Sequence, residues 1–498
     1  MDSSNESERL LPGPSTEYGT GSYMPIMPDA GYTPTPRPGK KLPQYIAALS
    51  ATLGALAAGT ILGWTSPATK DAIEKEYGFS VSNDEYGWIG SLMTIGAACI
   101  CLPIGILIDV LGRKLAMLLL VFPFTLGWAL IIWATNVGML YAGRYIVGVS
   151  GGAFCVAAPI YTGEIAEKEI RGSLGSYFQL MITIGILFVY AIGSAVNVFY
   201  LSIICGAIPL IFGAVFFFMP ETPMYLVSRG KDQEAKNSIR KLRGDAYDVD
   251  SELITLQLEH QNNVANRLPI KQAFTTTAAK KALAISMMLM FFQQVCGVNA
   301  IIFYTSNIFR DANSGISGSD GSIIVGVMQI IFTFIATLTV DRLGRRILLL
   351  VSETLMAVCC ILMGVYFYLS KQPEYKDTVS SLSWLPLFSL CVFIAAFSLG
   401  FGPIPWMIIG ELFPPGIKGV AGSISATFNW VLAFIVTKTF NLVREDIPFW
   451  VFGSLCIVGV LYIYFFVPET KGKSLTQIQQ MLGNETNIKE PLPNDNEK

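Results

Sequence analysis

Apolar stretches of roughly 20 residues, the length that crosses the hydrocarbon of a bilayer as a helix, punctuate the chain. They lie near 45–68, 85–108, 115–135, 139–162, 173–195 and 199–219, and after a polar block at 220–280 they resume near 281–305, 320–340, 347–369, 384–410, 417–441 and 446–467. The pattern predicts an all-α membrane protein with twelve transmembrane helices in two six-helix halves. Its organisation follows: a Pro-, Gly- and Ser-rich disordered tail at 1–43, a first bundle at 44–219, a linker at 220–280, a second bundle at 281–467 and a tail at 468–498. Within the linker, 231–244 and 251–262 read as short helices lying at a membrane face.

One stretch breaks the apolar rule. Gln293, Gln294 and Asn299 put three carboxamides inside the seventh span. An amide without partners costs roughly 2 to 7 kcal/mol to take out of water, so these side chains must face other helices or a water-filled cavity. At continuous helical pitch, Gln293 would lie over Asn299 and Gln294 would neighbour Val298. Carboxamides donate and accept without carrying charge, which suits a neutral polyhydroxyl ligand better than an ion. The alternative is that they are interhelical glue, the commoner role of polar side chains in bundles.

Composition narrows the classes. With 52% hydrophobic and 14% charged residues and a mean hydropathy of +0.52, this is an integral membrane protein. A net charge of -2 without a basic patch argues against nucleic acid. The single histidine, His260, leaves little material for a metal centre or a Ser-His-Asp triad, so neither metal nor cofactor is expected and an enzyme is disfavoured. All nine cysteines fall in apolar stretches and read as small hydrophobes. The first forty residues contain no apolar run of signal-peptide type.

Orientation comes from the basic loops. Arg113, Lys114, Arg345 and Arg346 at 109–114 and 341–346 mark those ends, and hence both termini, as cytoplasmic. The external loops are then short, the longest being 69–84, 306–319 and 370–383, and the Asn-x-Ser/Thr triplets at Asn5 and Asn484 fall on the cytoplasmic side. In the tail, Glu6 with Leu10 and Leu11 resembles an acidic dileucine address for the clathrin-adaptor machinery, so endosomal or lysosomal retention stands beside the plasma membrane as a destination.

Three signatures occur once in each half, in the same order. Asp109-Val-Leu-Gly-Arg113-Lys114 recurs as Asp341-Arg-Leu-Gly-Arg345-Arg346, Glu164 before Arg171 recurs as Glu411 before Lys418, and Pro-Glu221-Thr recurs as Pro-Glu469-Thr. Duplication is the simplest account, and parallel six-helix repeats are a transporter architecture with the ligand site between halves. Snorkelling and topology explain the basic residues alone, because acidic residues contribute little to orientation. Asp109, Arg113, Lys114, Glu164, Arg171 and Glu221, with Asp341, Arg345, Arg346, Glu411, Lys418 and Glu469, are therefore expected to form a charge network that bridges the halves when the cytoplasmic mouth is closed.

The strings DVLGRK, GRYIVGV, PIYTGEIAEKEIRG, PETP, QQVCGVNAIIFY, DRLGRR, GPIPWMIIGELFP and PETKG, spread over about 45–475, resemble the sugar porters of the major facilitator superfamily, especially the facilitative hexose and trehalose carriers. The short first external loop and the dileucine look like the class III branch. Phe428-Asn429-Trp430 with Thr437-Lys438-Thr439-Phe440 is similar to its trehalose carriers. The resemblance implies sugar contacts at Gln179, Gln293, Gln294, Asn299, Trp406, Asn429 and Trp430, joined by Gln329 where hexose carriers often have Asn, and an outer gate at Tyr304. Departures stand at Ser398 (often Glu), Ala433 (often Asn) and Met224 (commonly Arg). Proton-coupled members carry an Asp in the first span, whereas 53–67 holds no ionisable residue and Ile61 stands about where that Asp would fall. The expectation is a facilitative carrier of trehalose or a hexose. A proton-coupled sugar or polyol symporter and a carrier-fold nutrient receptor are the alternatives.

Overall fold

The computed structural model describes residues 39–265, 274–313, 315–440 and 442–483. The sorting residues Glu6, Leu10 and Leu11 lie outside them, as does the side chain of Asp341.

Every regular element among the described residues is helical. The first half contains Leu42–Gly63, the pair Asn83–Ile100 and Pro103–Leu111, then Arg113–Ile132, Val137–Ile165, Arg171–Gly193 and Val198–Phe216. The second contains Thr277–Ala312, Gly318–Val340, Arg345–Ser370, Leu385–Leu412, Ile417–Phe440 and Asp446–Phe466. Counting the bent pair as one span, that is twelve. Its 53° bend falls just before Pro103, whose ring and missing N–H interrupt the helical ladder. These spans are taken as first to twelfth in chain order.

The halves meet along the fifth span against the eighth, the second against the eleventh, and the first against the outer part of the seventh. Stretches expected as loops carry short helices of their own, Lys70–Tyr77 in one and Lys376–Ser381 in another. Both are polar, and a Thr69 side-chain cap on the Ala72 N–H starts the first.

The linker folds as Pro223–Ser228, Asp232–Arg243 and Val249–Ala265, longer than expected at its last helix. Leu226, Val227, Ala235, Ile239, Val249 and Leu253 give it a small core of its own. Arg243 ties it down: its buried guanidinium donates to the Ile165 carbonyl at 2.7 Å and pairs with Glu167 and Glu252 at 3.4 and 2.9 Å. An arginine with five donors can satisfy all three acceptors from one buried position. The linker is thereby fixed to the first half, at the end that also bears Arg113, Lys114, Arg345 and Arg346. That end is called the basic face below, and the opposite end the far face.

Candidate functional site

The seventh span is not one helix. It runs as Thr277–Val295 and Val298–Ala312, broken at Gly297, whose φ of 88° is left-handed. The expectation that the three amides line one side of a continuous helix is therefore corrected. The break interrupts the helical register within the one span, and Asn299 Nδ2 donates to Gln294 Oε1 at 2.7 Å. Gln294 Nε2 donates in turn to Asn429 Oδ1 at 2.9 Å, and Asn429 Nδ2 to Gln293 Oε1 at 2.8 Å. Gln293 Nε2 closes the series on the carbonyls of Phe401 and Gly402, at 2.7 and 3.1 Å.

Those carbonyls need a donor for a reason written in the tenth span. Its outer helix ends at Leu399, and the next begins at Ile404. Pro405, which would face the Phe401 carbonyl one turn on, has no N–H to give. Gln293 supplies that hydrogen bond from another helix, so it does act as glue. The chain of amides nonetheless ends in an unfinished group. Asn299 is only half-buried, and its Oδ1 accepts no hydrogen bond among the described residues, whereas Gln293, Gln294 and Asn429 are buried. The cluster thus presents one ordered amide edge to a ligand, with three others holding it in place.

The remaining candidates scatter around it. Trp406 is 41% exposed, Trp430 and Gln179 are half-buried, and Gln329 is buried on the eighth span. None of these four side chains hydrogen-bonds to the amide cluster.

Tyr304 is fully buried at a second irregular point of the seventh span, where φ is -119° and ψ 20°. Its ring stacks on Phe440 at 5.6 Å and lies 5.8 Å from Tyr86, while its hydroxyl donates to the Thr437 carbonyl at 3.3 Å. It therefore plugs the far side of the amide cluster, between second and eleventh spans.

The charged signatures form two clasps of the same design. Arg113 pairs with Glu164 at 2.9 Å, Glu164 accepts from the Thr222 hydroxyl, and Glu221 accepts from the backbone N–H groups of Arg113 and Lys114. In the second half Arg345 pairs with Glu411 at 2.9 Å, Thr470 donates to Glu411, and Glu469 accepts from the N–H groups of Arg345 and Arg346. Gly112 and Gly344, with φ of 95° and 93°, make both turns, and a Cβ at either would meet the clasp glutamate at 2.4 or 2.7 Å. The two glutamates differ in titration. Burial pushes the Glu221 carboxyl above its usual range, whereas at Glu469 the N–H donors of Lys471, Arg345, Arg346 and Thr470 outweigh burial and hold it below.

Each clasp closes within its own half. Asp109 joins the first through Arg113 at 3.2 Å, but Arg171 and Lys418 are exposed, and Arg171 donates only to the Ala166 carbonyl. Among the described residues no hydrogen bond or ion pair joins the halves at the basic face.

The bonds that join the halves among the described residues lie at the far face, where no repeated motif marks them. Lys438 Nζ reaches Asp84 Oδ1 at 2.6 Å and the Asp84 carbonyl at 3.0 Å, and it lies 4.8 Å from the Trp88 ring centroid. Arg310 pairs with Asp71 at 3.1 Å. The hydroxyls of Ser66, Ser306 and Ser322 join one another within 3.3 Å, and Tyr190 donates to the Ile302 carbonyl at 2.6 Å. Lys438 was visible as a lone cation in an apolar stretch, which is an intramembrane-charge signal.

The same signal marks two more residues. Arg144 on the fourth span is fully buried and donates to the carbonyls of Ile61, Ile89 and Gly90 and to the Thr65 hydroxyl, at 2.9–3.4 Å. Its guanidinium is 5.2 Å from the Trp64 ring centroid. Glu353 on the ninth span is also fully buried, and its oxygens meet no donor stronger than the Cys456 thiol.

Comparison with known proteins gives a consistent result. The family described as "Sugar (and other) transporter" matches residues 47–482. A protein of Culex quinquefasciatus named facilitated trehalose transporter Tret1 is 40% identical over 447 residues, 88% of this chain and 86% of its own. One of the same name from Aedes aegypti is 40% identical over 459 residues, 91% of this chain. The chain spans 56% of the length of that Aedes relative. Among solved structures, the partially occluded inward-open conformation of the xylose transporter XylE from E. coli superposes with a TM-score of 0.73 at 24% identity, covering 86% of this chain and 99% of that one. At that identity the likeness speaks for the fold, which is the twelve-span major facilitator fold.

Proposed function

This chain belongs to the sugar (and other) transporter family, and from that premise we propose that it is a facilitative carrier, not an enzyme, moving trehalose or a hexose down its gradient by alternating access. The observation that carries the reading is the uncharged amide cluster at the break of the seventh span. Gln293, Gln294 and Asn429 are satisfied by one another and by backbone, Asn299 keeps an open amide edge, and Trp406 and Trp430 are the partly exposed indoles that would flank a sugar bound there. Amide edges take hydroxyls, and indole faces take the apolar faces of a sugar ring.

The basic loops put their face in the cytoplasm of a plasma-membrane protein, and Glu6, Leu10 and Leu11 would supply an address for adaptor-driven retrieval. With every bond between halves among the described residues at the far face, this conformer is held shut at that face, which the basic loops place outside. Transport then consists of breaking the far-face bonds and bringing the two basic-face clasps together around the loaded sugar.

Facilitated diffusion is supported by Arg144. This guanidinium is surrounded by carbonyls and one hydroxyl, with no carboxylate among its bonded partners, so it has no titrating acid to exchange protons with. Uptake of radiolabelled trehalose and glucose into cells lacking sugar carriers tests the reading. Replacing Gln293→Leu and Gln294→Leu together, at equal surface level, is expected to abolish uptake of the transported sugar, and an imposed pH gradient is expected to leave the parent's uptake unchanged. Undiminished transport by the double variant would sink the site, and accumulation driven by external acid would sink the uniport.

A further inference from the structure

The seventh span is bent where Tyr304 plugs it. Within Val298–Ala312 the backbone leaves helical geometry at Tyr304, with φ -119° and ψ 20°. In a regular helix the Ser306 N–H would bond to the Ile302 carbonyl, the pair four residues apart that encloses Tyr304. Here both groups have partners on the other half of the molecule. The Ile302 carbonyl accepts from the Tyr190 hydroxyl of the fifth span at 2.6 Å, and the Ser306 N–H donates to Ser66 Oγ at 3.2 Å. We propose that Tyr190 is a positioning residue of the gate: together with Ser66 it holds the seventh span bent by occupying the two ends of one of that span's own backbone bonds, and so keeps the Tyr304 ring in the pathway.

Three observations support the assignment. Tyr190 and Ser66 are both buried, so neither bond competes with water. The Tyr190 ring runs past Gly326 of the eighth span on its way to the seventh, and a Cβ there would stand 3.2 Å from it, so the glycine leaves the room that the hydroxyl needs to reach Ile302. The bend is also reinforced from within the span. Buried Thr305 turns its hydroxyl back to the Ile301 carbonyl at 2.6 Å, a local bond of the kind that bends helices.

Because the bonds cross between the halves, the bend belongs to the closed far face. When the halves part there, the Ile302 carbonyl and the Ser306 N–H lose their partners at membrane depth, where an unmet backbone group is costly. They recover by bonding to each other, which requires helical dihedrals at Tyr304. That rotation draws the ring off Phe440 and away from Tyr86, the two side chains it now lies between. Parting of the halves and withdrawal of the plug are then one event, and the Tyr190 hydroxyl is the group that couples them.

The inference rests on the alternating-access reading, and thiol labelling without sugar tests it apart from transport. Ser322, buried in the hydroxyl cluster between the halves, is the reporter as Ser322→Cys, a change that leaves both Tyr190 and Ser66 on the seventh-span backbone. Tyr190→Phe orphans a buried carbonyl in the bent state alone, so it is expected to speed labelling by an impermeant reagent added from outside about fivefold or more over the Ser322→Cys parent. Ser306→Pro removes the N–H that a straight span needs, and its ring crowds the Ile302 carbonyl. It is expected to keep the span bent, to label no faster than the parent and to cancel the effect of Tyr190→Phe. In uptake assays Tyr190→Phe should also lower the half-saturating sugar concentration outside without lowering it on the cytoplasmic side, a split that a folding defect does not produce. Labelling of Tyr190→Phe at the parental rate overturns the proposal. Equal acceleration in the Ser306→Pro background overturns it too, because the hydroxyl would then be an ordinary bond between halves. If Ser306→Pro does not reach the surface, the one-sided change in half-saturation decides, and its absence overturns the proposal. A parent that takes up no sugar overturns the carrier reading instead, and the labelling rates still judge the gate.

Discussion

Lys438→Ala should unlatch the far face. The ammonium is only 11% exposed and makes three contacts across the halves: the Asp84 carboxylate, the Asp84 carbonyl and the Trp88 ring. Asp84 itself is 62% exposed, so the Coulomb part is heavily screened and is worth about 0 to 1 kcal/mol. The bond to the carbonyl and the cation–π contact add roughly 1 to 2 kcal/mol between them. A loss of about 2 kcal/mol in the closed state alone shifts the ratio of far-open to far-closed molecules by roughly 30-fold. Ser66, buried in the hydroxyl cluster between the halves, offers the readout. With Ser66→Cys introduced, a membrane-impermeant thiol reagent added from outside should label the Lys438→Ala protein on the order of tenfold faster or more. Asp84→Asn keeps the carbonyl contact and removes only the exposed charge, so it should accelerate labelling by no more than about fivefold. If labelling of Lys438→Ala matched that of the parent at equal surface level, the far-face bonds would not be what holds this conformer.

The spans were legible in the sequence because hydropathy alone decides which 20-residue segments enter a bilayer. The clasps were legible as residues, since Asp/Glu and Arg repeat in order, but not as geometry. In this conformer they close within each half, because Gly112 and Gly344 turn the chain so that the following N–H groups point at Glu221 and Glu469 of the same bundle, and the bridging expected of them is a property of the closed cytoplasmic mouth. The amide cluster was half legible. Gln293, Gln294 and Asn299 stood out by polarity, yet helical pitch gave the wrong arrangement, since one positive-φ residue, Gly297, separates them. The pairing with Asn429 joins positions 135 residues apart, and no local pattern encodes it. The far-face latch, joining Lys438 to a residue 354 positions away, is of the same kind. Its partners could not be read, but a single charge inside an apolar stretch could, and applying that rule uniformly would also have flagged Arg144 and Glu353.

The two halves are copies at the basic face and different at the far face. Equal clasps at one end make that mouth a pair of rigid rims that can meet symmetrically. Closure at the other end depends on unlike contacts, with lysine, tyrosine and serines from the second half set against aspartate, glycine and serine from the first. Substitutions at the far face should therefore bias the conformational equilibrium, whereas substitutions in a clasp should also weaken the half that contains it.

Two further tests follow from that division. A Cβ at Gly90 would stand 2.4 Å from the Tyr304 hydroxyl, and the tyrosine is held between Tyr86 and Phe440, so Gly90→Ala should cost about 1 to 3 kcal/mol in the far-closed state and raise Ser66→Cys labelling as Lys438→Ala does; labelling at the parental rate would mean that the tyrosine swings aside freely. The clasp glutamates should respond to acid in opposite senses. Glu469 is held below its usual range, so its stabilising contribution is present above the ordinary carboxylate range and is lost as pH falls through its folded value. Glu221 is pushed up, so its contribution is greatest at low pH and is lost as pH rises through its folded value. In thermal melts of the purified chain from neutral pH to about pH 4, the margin of the parent over Glu469→Gln should therefore shrink on acidification, while its margin over Glu221→Gln should grow. If both margins moved the same way, the repeated clasps would be electrostatically equivalent, and the deeper burial of Glu221 would have no consequence for its charge.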